Sequence, residues 1–135
     1  MSMNILKIGG VHIDMRSMNK IELVSPYLSI LGPGSIWYDV LQVISPEKFT
    51  MLHGQCESVG VGGYILGGGV NVIGTFEKYG TAAEHVQQYT MVDAKGNILL
   101  ISEGNTTVIE PFTRKAKHQI GYDSELFFAM KGMYT

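Results

Sequence analysis

Cys56 stands three residues after His53 and opens the run HGQCESVGVGGYILGGG, which ends at Gly69. It is the only cysteine of the chain, and six glycines follow between Gly60 and Gly69. Glycine at that density lets backbone N–H groups approach a ligand closely, because no Cβ holds it off. A thiol in the field of such amides, with an imidazole nearby, has a lowered pKa and becomes a nucleophile. The alternative for Cys56 is a buried free cysteine serving as a small hydrophobe. His53 either tunes Cys56 or is satisfied by backbone at the end of a strand. The run is not a P-loop, since no Gly-Lys-Ser/Thr follows, and Ile65 stands where a dinucleotide fingerprint needs its third glycine. His12, His53, His85 and His118 have no metal-ligand spacing.

The elements that position this loop can be read from periodicity. Val11-His12-Ile13-Asp14-Met15 alternates apolar and polar residues, as a half-buried strand does. Ile21–Leu23 and Tyr27–Leu31 are short strands around the turn signal Ser25-Pro26, and Gly32-Pro33-Gly34 ends the meander. Ser35 is placed to cap a helix over Ile36–Ile44, with Ile36, Val40, Leu41 and Ile44 on one face and Trp37 as packing or cover. Ser45-Pro46 stops that helix. Phe49–Leu52 feeds the glycine loop as a strand, and Tyr64-Ile65-Leu66 forms a helical turn between the two glycine clusters. Gly67, Gly68 and Gly69 suit close backbone packing.

Thr81 caps a short helix through Val86, and Gln87–Val92 and Ile98–Ile101 form a hairpin around Asp93–Asn97, with Gly96 at positive φ. Residues 103–122 break periodicity and carry Arg114, Lys115, Lys117 and His118. They read as a solvated loop or partner-facing insertion, with an anion site as the alternative. Asn105-Thr106-Thr107 satisfies the glycosylation sequon, a match common by chance. Asp123 or Ser124 caps a last helix, Glu125–Met130, which turns Leu126, Phe127 and Met130 to the sheet.

At 135 residues the chain is one domain with room for a core. Its 45% hydrophobic and 16% charged residues place it among globular proteins. A net charge of −2 argues against nucleic acid as a partner. A single cysteine excludes an internal disulfide framework and leaves the compartment open. No apolar run reaches the roughly eighteen residues of a membrane span, and MSMNILKIGG is too short and mixed for a signal peptide.

Four ordered blocks carry a family resemblance: the glycine loop, Lys78–Val86 (KYGTAAEHV), Met91–Gly96 (MVDAKG) and Ser124–Gly132 (SELFFAMKG). Together they resemble the FAD-linked oxidases of the vanillyl-alcohol oxidase and p-cresol methylhydroxylase type, most closely the berberine-bridge-enzyme-like branch. The resemblance implies an α+β fold with a mixed, largely antiparallel sheet and short helices. It covers only the second lobe of the flavin domain, so residues 1–135 read as a single partial FAD-binding domain. FAD is the implied cofactor, perched on Cys56, Val59, Gly60, Val61, Gly62, Gly63 and Tyr64. Cys56 matches a cysteine that in this branch can bond carbon 6 of the flavin ring. The Val11–Met15 strand matches the one that opens the second lobe, so His12 is not the flavin-linking histidine.

At Glu84-His85 the family usually has Asp-Asn, and Met133-Tyr134-Thr135 replaces the continuation toward the adenine. The catalytic bases of the family belong to a substrate domain outside this match, so no catalytic residue is assigned. The implied function is an FAD-binding lobe of an oxidoreductase that does not turn over alone and is covered by another protein chain. The alternative is a degenerate flavin fold kept as an accessory subunit without flavin.

Overall fold

The computed structural model describes residues 10–71, 75–109, 116–119 and 124–132. Strand β1 (Ile21–Ser25) pairs antiparallel with β2 (Leu28–Leu31), matching Ile21 to Leu31 and Glu22 to Ile30. Helix α1 (Trp37–Ile44) follows, then one 3-10 turn (Ser45–Glu47), and α2 (Val61–Leu66) emerges from the glycine loop. After α3 (Phe76–Tyr79) and a 3-10 turn (Ala82–His85), a second sheet runs β3 (Gln88–Val92), β4 (Ile98–Ser102), β5 (Asn105–Ile109) and β6 (Ala116–Gln119). These four strands lie in sequence order with every ladder antiparallel, and α4 (Ser124–Met130) closes the described chain. The fold is α+β, as the sequence implies.

Among the described residues, two cores hold it together. In the first, Trp37, Val40 and Ile44 of α1 meet Val61 of α2, with Ile21, Leu31, Phe49, Met51 and Tyr64 packed around them. In the second, Leu99, Ile101 and Val108 of the four-stranded sheet receive Phe127 of α4, flanked by Leu126 and Met130. The burial along β4 and β5 alternates residue by residue, as a sheet with one covered face requires. The α4 face read from periodicity is therefore the one that packs; Asp123 lies outside the described residues, and Ser124 is already helical.

Several expectations are corrected. Residues 11–15 form no strand: Val11 and Ile13 are 85% and 76% exposed, and the segment ends where the Asp14 carboxylate takes the backbone N–H of Arg16 at 3.0 Å. Alternation specifies a face, but a strand also needs a neighbour, and none of the described residues offers one. Phe49–Leu52 likewise forms no strand: Phe49 and Met51 pack against the first core, and the Phe49 N–H turns back to the Ile44 carbonyl at 3.3 Å instead of joining a ladder. The stretch 103–122 is not simply a loop, since β5 and β6 occupy 105–109 and 116–119. Thr106 is buried in that strand, where a polar residue in the alternation disguised the period.

Ser35 does not cap α1. It is fully buried and its hydroxyl donates to the Gly32 carbonyl at 2.6 Å, while Ile36 holds the cap position with no side-chain bond. The inward face of α1 is Trp37, Val40 and Ile44, with Ile36 only half-buried.

Candidate functional site

The first-turn amides of α1 are bonded by the glycine loop itself. Trp37 N–H donates to the Val59 carbonyl at 3.2 Å and Tyr38 N–H to the Glu57 carbonyl at 2.9 Å. In return, Val61 N–H donates to the Ser35 carbonyl at 2.9 Å, and Ile36 and Gly60 face each other as an antiparallel bridge. Residues 57–61 are thus tied to the start of α1 through main chain on both sides. A helix start needs such acceptors from somewhere, and here they come from backbone rather than a capping side chain.

The seven residues singled out by the sequence fall into two sets within this frame. Val61 and Tyr64 turn inward: Val61 is buried, and the Tyr64 ring meets the Trp37 indole edge-on at 5.2 Å between centroids. The Tyr64 hydroxyl and Trp37 Nε1 are buried without a hydrogen-bond partner, and burial pushes the Tyr64 pKa up. Cys56, Val59, Gly60 and Gly63 face outward, and Gly62 is half-buried. Val59 and Tyr64 spend their amides on the Cys56 and Gly60 carbonyls at 3.1 Å each, whereas no acceptor among the described residues takes those of Gly60, Gly62 or Gly63.

The glycines divide just as clearly when a side chain is imagined at each. At Gly62 a Cβ would meet the Pro33 carbonyl oxygen at 2.9 Å, so the meander requires glycine there. At Gly69, where φ is +67°, it would meet the Ala82 methyl at 2.8 Å, and the Gly69 carbonyl accepts the Ala82 N–H at 3.0 Å. The second cluster therefore serves close backbone packing. Among the described residues, a Cβ at Gly63 would meet nothing within 4 Å, and one at Gly60 only the Ser35 carbonyl oxygen at 4.0 Å. Neither has positive φ. Glycine inside a helix costs about 1 kcal/mol relative to alanine, so the fold alone gives no reason for Gly63. An open surface next to backbone leaves room for a flat ligand to lie against the main chain.

Cys56 is exposed, which removes the buried-hydrophobe alternative. Its Sγ lies 3.2 Å from Ser58 Oγ, and the hydroxyl and amide of Ser58 draw the thiol below its ordinary pKa. His53 plays no part in that: its Nδ1 donates to the Gly54 carbonyl at 2.7 Å, and its own carbonyl accepts from Asn71 Nδ2 at 2.8 Å. Ser58 and Asn71 were missed in the sequence; the hydroxyl two residues after the cysteine was the available signal for the first. A direct consequence can be measured. Ser58→Ala shifts the pH profile of Cys56 alkylation by iodoacetamide to higher pH, slowing the reaction at neutral pH; an unmoved profile would contradict the assignment.

Glu84 and His85 are used locally. Glu84 and Thr81 form a reciprocal capping box, and His85 Nε2 donates to the Tyr79 carbonyl at 2.7 Å. Arg114 and Lys115 lie outside the described residues. Among the described residues there is no cluster able to hold a metal ion, and no helix is long and apolar enough to cross a membrane.

The model of the FAD binding domain family matches residues 2–102, three quarters of the chain and the whole of this loop. The chain belongs to that family. This FAD-binding domain is 32% identical over 98 residues to the FAD-dependent monooxygenase tpcD of Cochliobolus heterostrophus, covering 72% of this chain and 18% of that protein. It is 32% identical over 108 residues to the bifunctional decalin synthase calF of Penicillium decumbens (73% and 18%). With the FAD-linked oxidoreductase easE of Claviceps purpurea it shares 31% over 103 residues (76% and 18%). The FAD-binding domain thus spans under a fifth of the length of the curated relatives it matches. No solved structure matches it.

Proposed function

We propose that this chain is the flavin-contacting lobe of an FAD-linked oxidoreductase, and that Cys56, Val59, Gly60, Val61, Gly62, Gly63 and Tyr64 are its share of the site. The open, unhindered backbone at Gly60 and Gly63 is the observation that carries this reading. Bound FAD supplies the redox chemistry, accepting a hydride from a substrate carbon. The chain supplies position: amides at Gly60, Gly62 and Gly63 free to donate, Val61 and Tyr64 anchoring the loop from beneath, and an exposed thiol at Cys56 beside it.

Turnover requires groups beyond these residues, so the lobe works with another polypeptide segment, in the same longer protein or in a second chain. Exposed apolar side chains support a covering partner, among them Val24, Leu28 and Ile30 on the outer side of the β1–β2 pair.

An absorbance scan of the purified protein, with and without added FAD, tests the reading. Uptake of the yellow chromophore is expected, and acid precipitation then separates two modes of attachment. Colour that stays with the precipitate means a covalent bond, for which Cys56 is the expected attachment point; colour released to the supernatant means FAD bound without one. Protein that remains colourless after added FAD would sink the proposal and leave an accessory fold without flavin.

A further inference from the structure

We propose that Gly132 is a positioning residue for the glycine loop, a role that rests on the flavin-lobe reading and extends it to a residue far away in sequence. Gly132 stands at the end of α4 with φ +62°, its N–H bonded to the Ala129 carbonyl at 3.1 Å. Its Cα lies directly on the last turn of α2. A Cβ there would fall 2.3 Å from the Leu66 carbonyl oxygen and 2.6 Å from the Gly68 nitrogen. Both obstacles are main chain and cannot swing away.

From that contact the path to the open surface of the loop is short. Gly67 N–H donates to the Gly63 carbonyl at 3.1 Å, Gly68 N–H to Ile65 at 3.0 Å and Gly69 N–H to Tyr64 at 2.9 Å. The peptide groups that meet Gly132 therefore belong to the same turn that fixes Gly63. Just before Gly132, α4 is seated on the sheet by Phe127, with Leu126 and Met130 beside it. Gly132 thus sets the distance between the sheet core and the turn that carries Gly63.

Two demands coincide at this position and can be separated. The left-handed backbone that ends α4 can be met by asparagine as well as glycine, but the missing Cβ cannot. Gly96 is the natural control: its φ is +81° and a Cβ there would meet none of the described residues within 4 Å. In Gly132→Asn the amide resonances of Gly60, Gly62 and Gly63 move, those of Leu99, Ile101 and Val108 stay, and the Kd for FAD rises about ten- to hundredfold. Gly96→Asn leaves all of these in place. Loop amides and FAD affinity unchanged in Gly132→Asn would reduce Gly132 to a helix terminator and overturn the role. Sheet and loop amides shifting together would also overturn it.

The amide measurement needs no flavin. If wild-type protein takes up no FAD while Gly132→Asn still moves the loop amides, the flavin reading falls and the coupling stands. Should the variant fail to fold, hydrogen exchange of the wild-type chain decides: the Gly67, Gly68 and Gly69 amides open together with those of Lys131 and Gly132. Independent opening would refute the coupling.

Discussion

Trp37→Ala lowers the unfolding free energy by about 3–5 kcal/mol, the range for removing a large aromatic from a packed core. Trp37 is 1% exposed and stands where Val40, Ile44 and Val61 converge, with the Tyr64 ring on its edge. Its loss empties the first core at the point where α1 and α2 touch. Denaturant unfolding followed by circular dichroism measures the change, since the tryptophan signal itself disappears. Trp37→Phe costs less, because Nε1 has no partner among the described residues and its removal strands no acceptor there. A Trp37→Ala midpoint equal to that of the wild type would show that the first core is not organised around this ring.

Gly63→Leu separates binding from folding. Leucine is among the good helix formers, so the change contributes up to about 1 kcal/mol to helix stability. It also places a bulky side chain where no described residue stands within 4 Å of the Cβ, on the surface proposed for the flavin. The expected outcome is a thermal midpoint equal to or above that of the wild type. FAD binding weakens at least about a hundredfold, equivalent to roughly 2.7 kcal/mol. Fluorescence titration with FAD and a melting curve on the same sample read both effects. A variant that binds FAD like the wild type would remove Gly63 from the site.

How far the sequence could be read depended on how local each interaction is. The β3–β4 hairpin was legible because the Asp93 carboxylate takes the N–H groups of Lys95 and Asn97, both at 2.8 Å, within the turn that it specifies. Thr81 was legible as a cap from its place before the short helix, while its reciprocal bond with Glu84 came only with the structure, and the α4 face followed from its period. Ser35 was misread because its rivals for the α1 amides are carbonyls some twenty residues later, which no local pattern announces. β5 and β6 were hidden for a related reason. Their stability comes from ladders with β4 and with each other, and threonines interrupt the apolar alternation.

The site shows the same boundary. Its glycines were visible as a cluster, yet composition does not distinguish Gly62, forced by Pro33, from Gly63, which faces open space. Cys56 was visible as a chemical group, while Ser58 as its partner and Asn71 as the brace of the His53 carbonyl needed coordinates. The expectation that Gly67–Gly69 permit close approach held in a particular form, at Ala82 and at Gly132.

The main-chain tie between α1 and residues 57–61 has an evolutionary side. A serine cap can be lost by one base change, whereas a carbonyl cap is present whatever residue occupies the position. Glu57 and Val59, whose carbonyls do this work, turn their side chains to the solvent. Those two positions can drift without loosening the helix they terminate. Substitution at either position would change the rim of the loop while leaving both carbonyl acceptors in place.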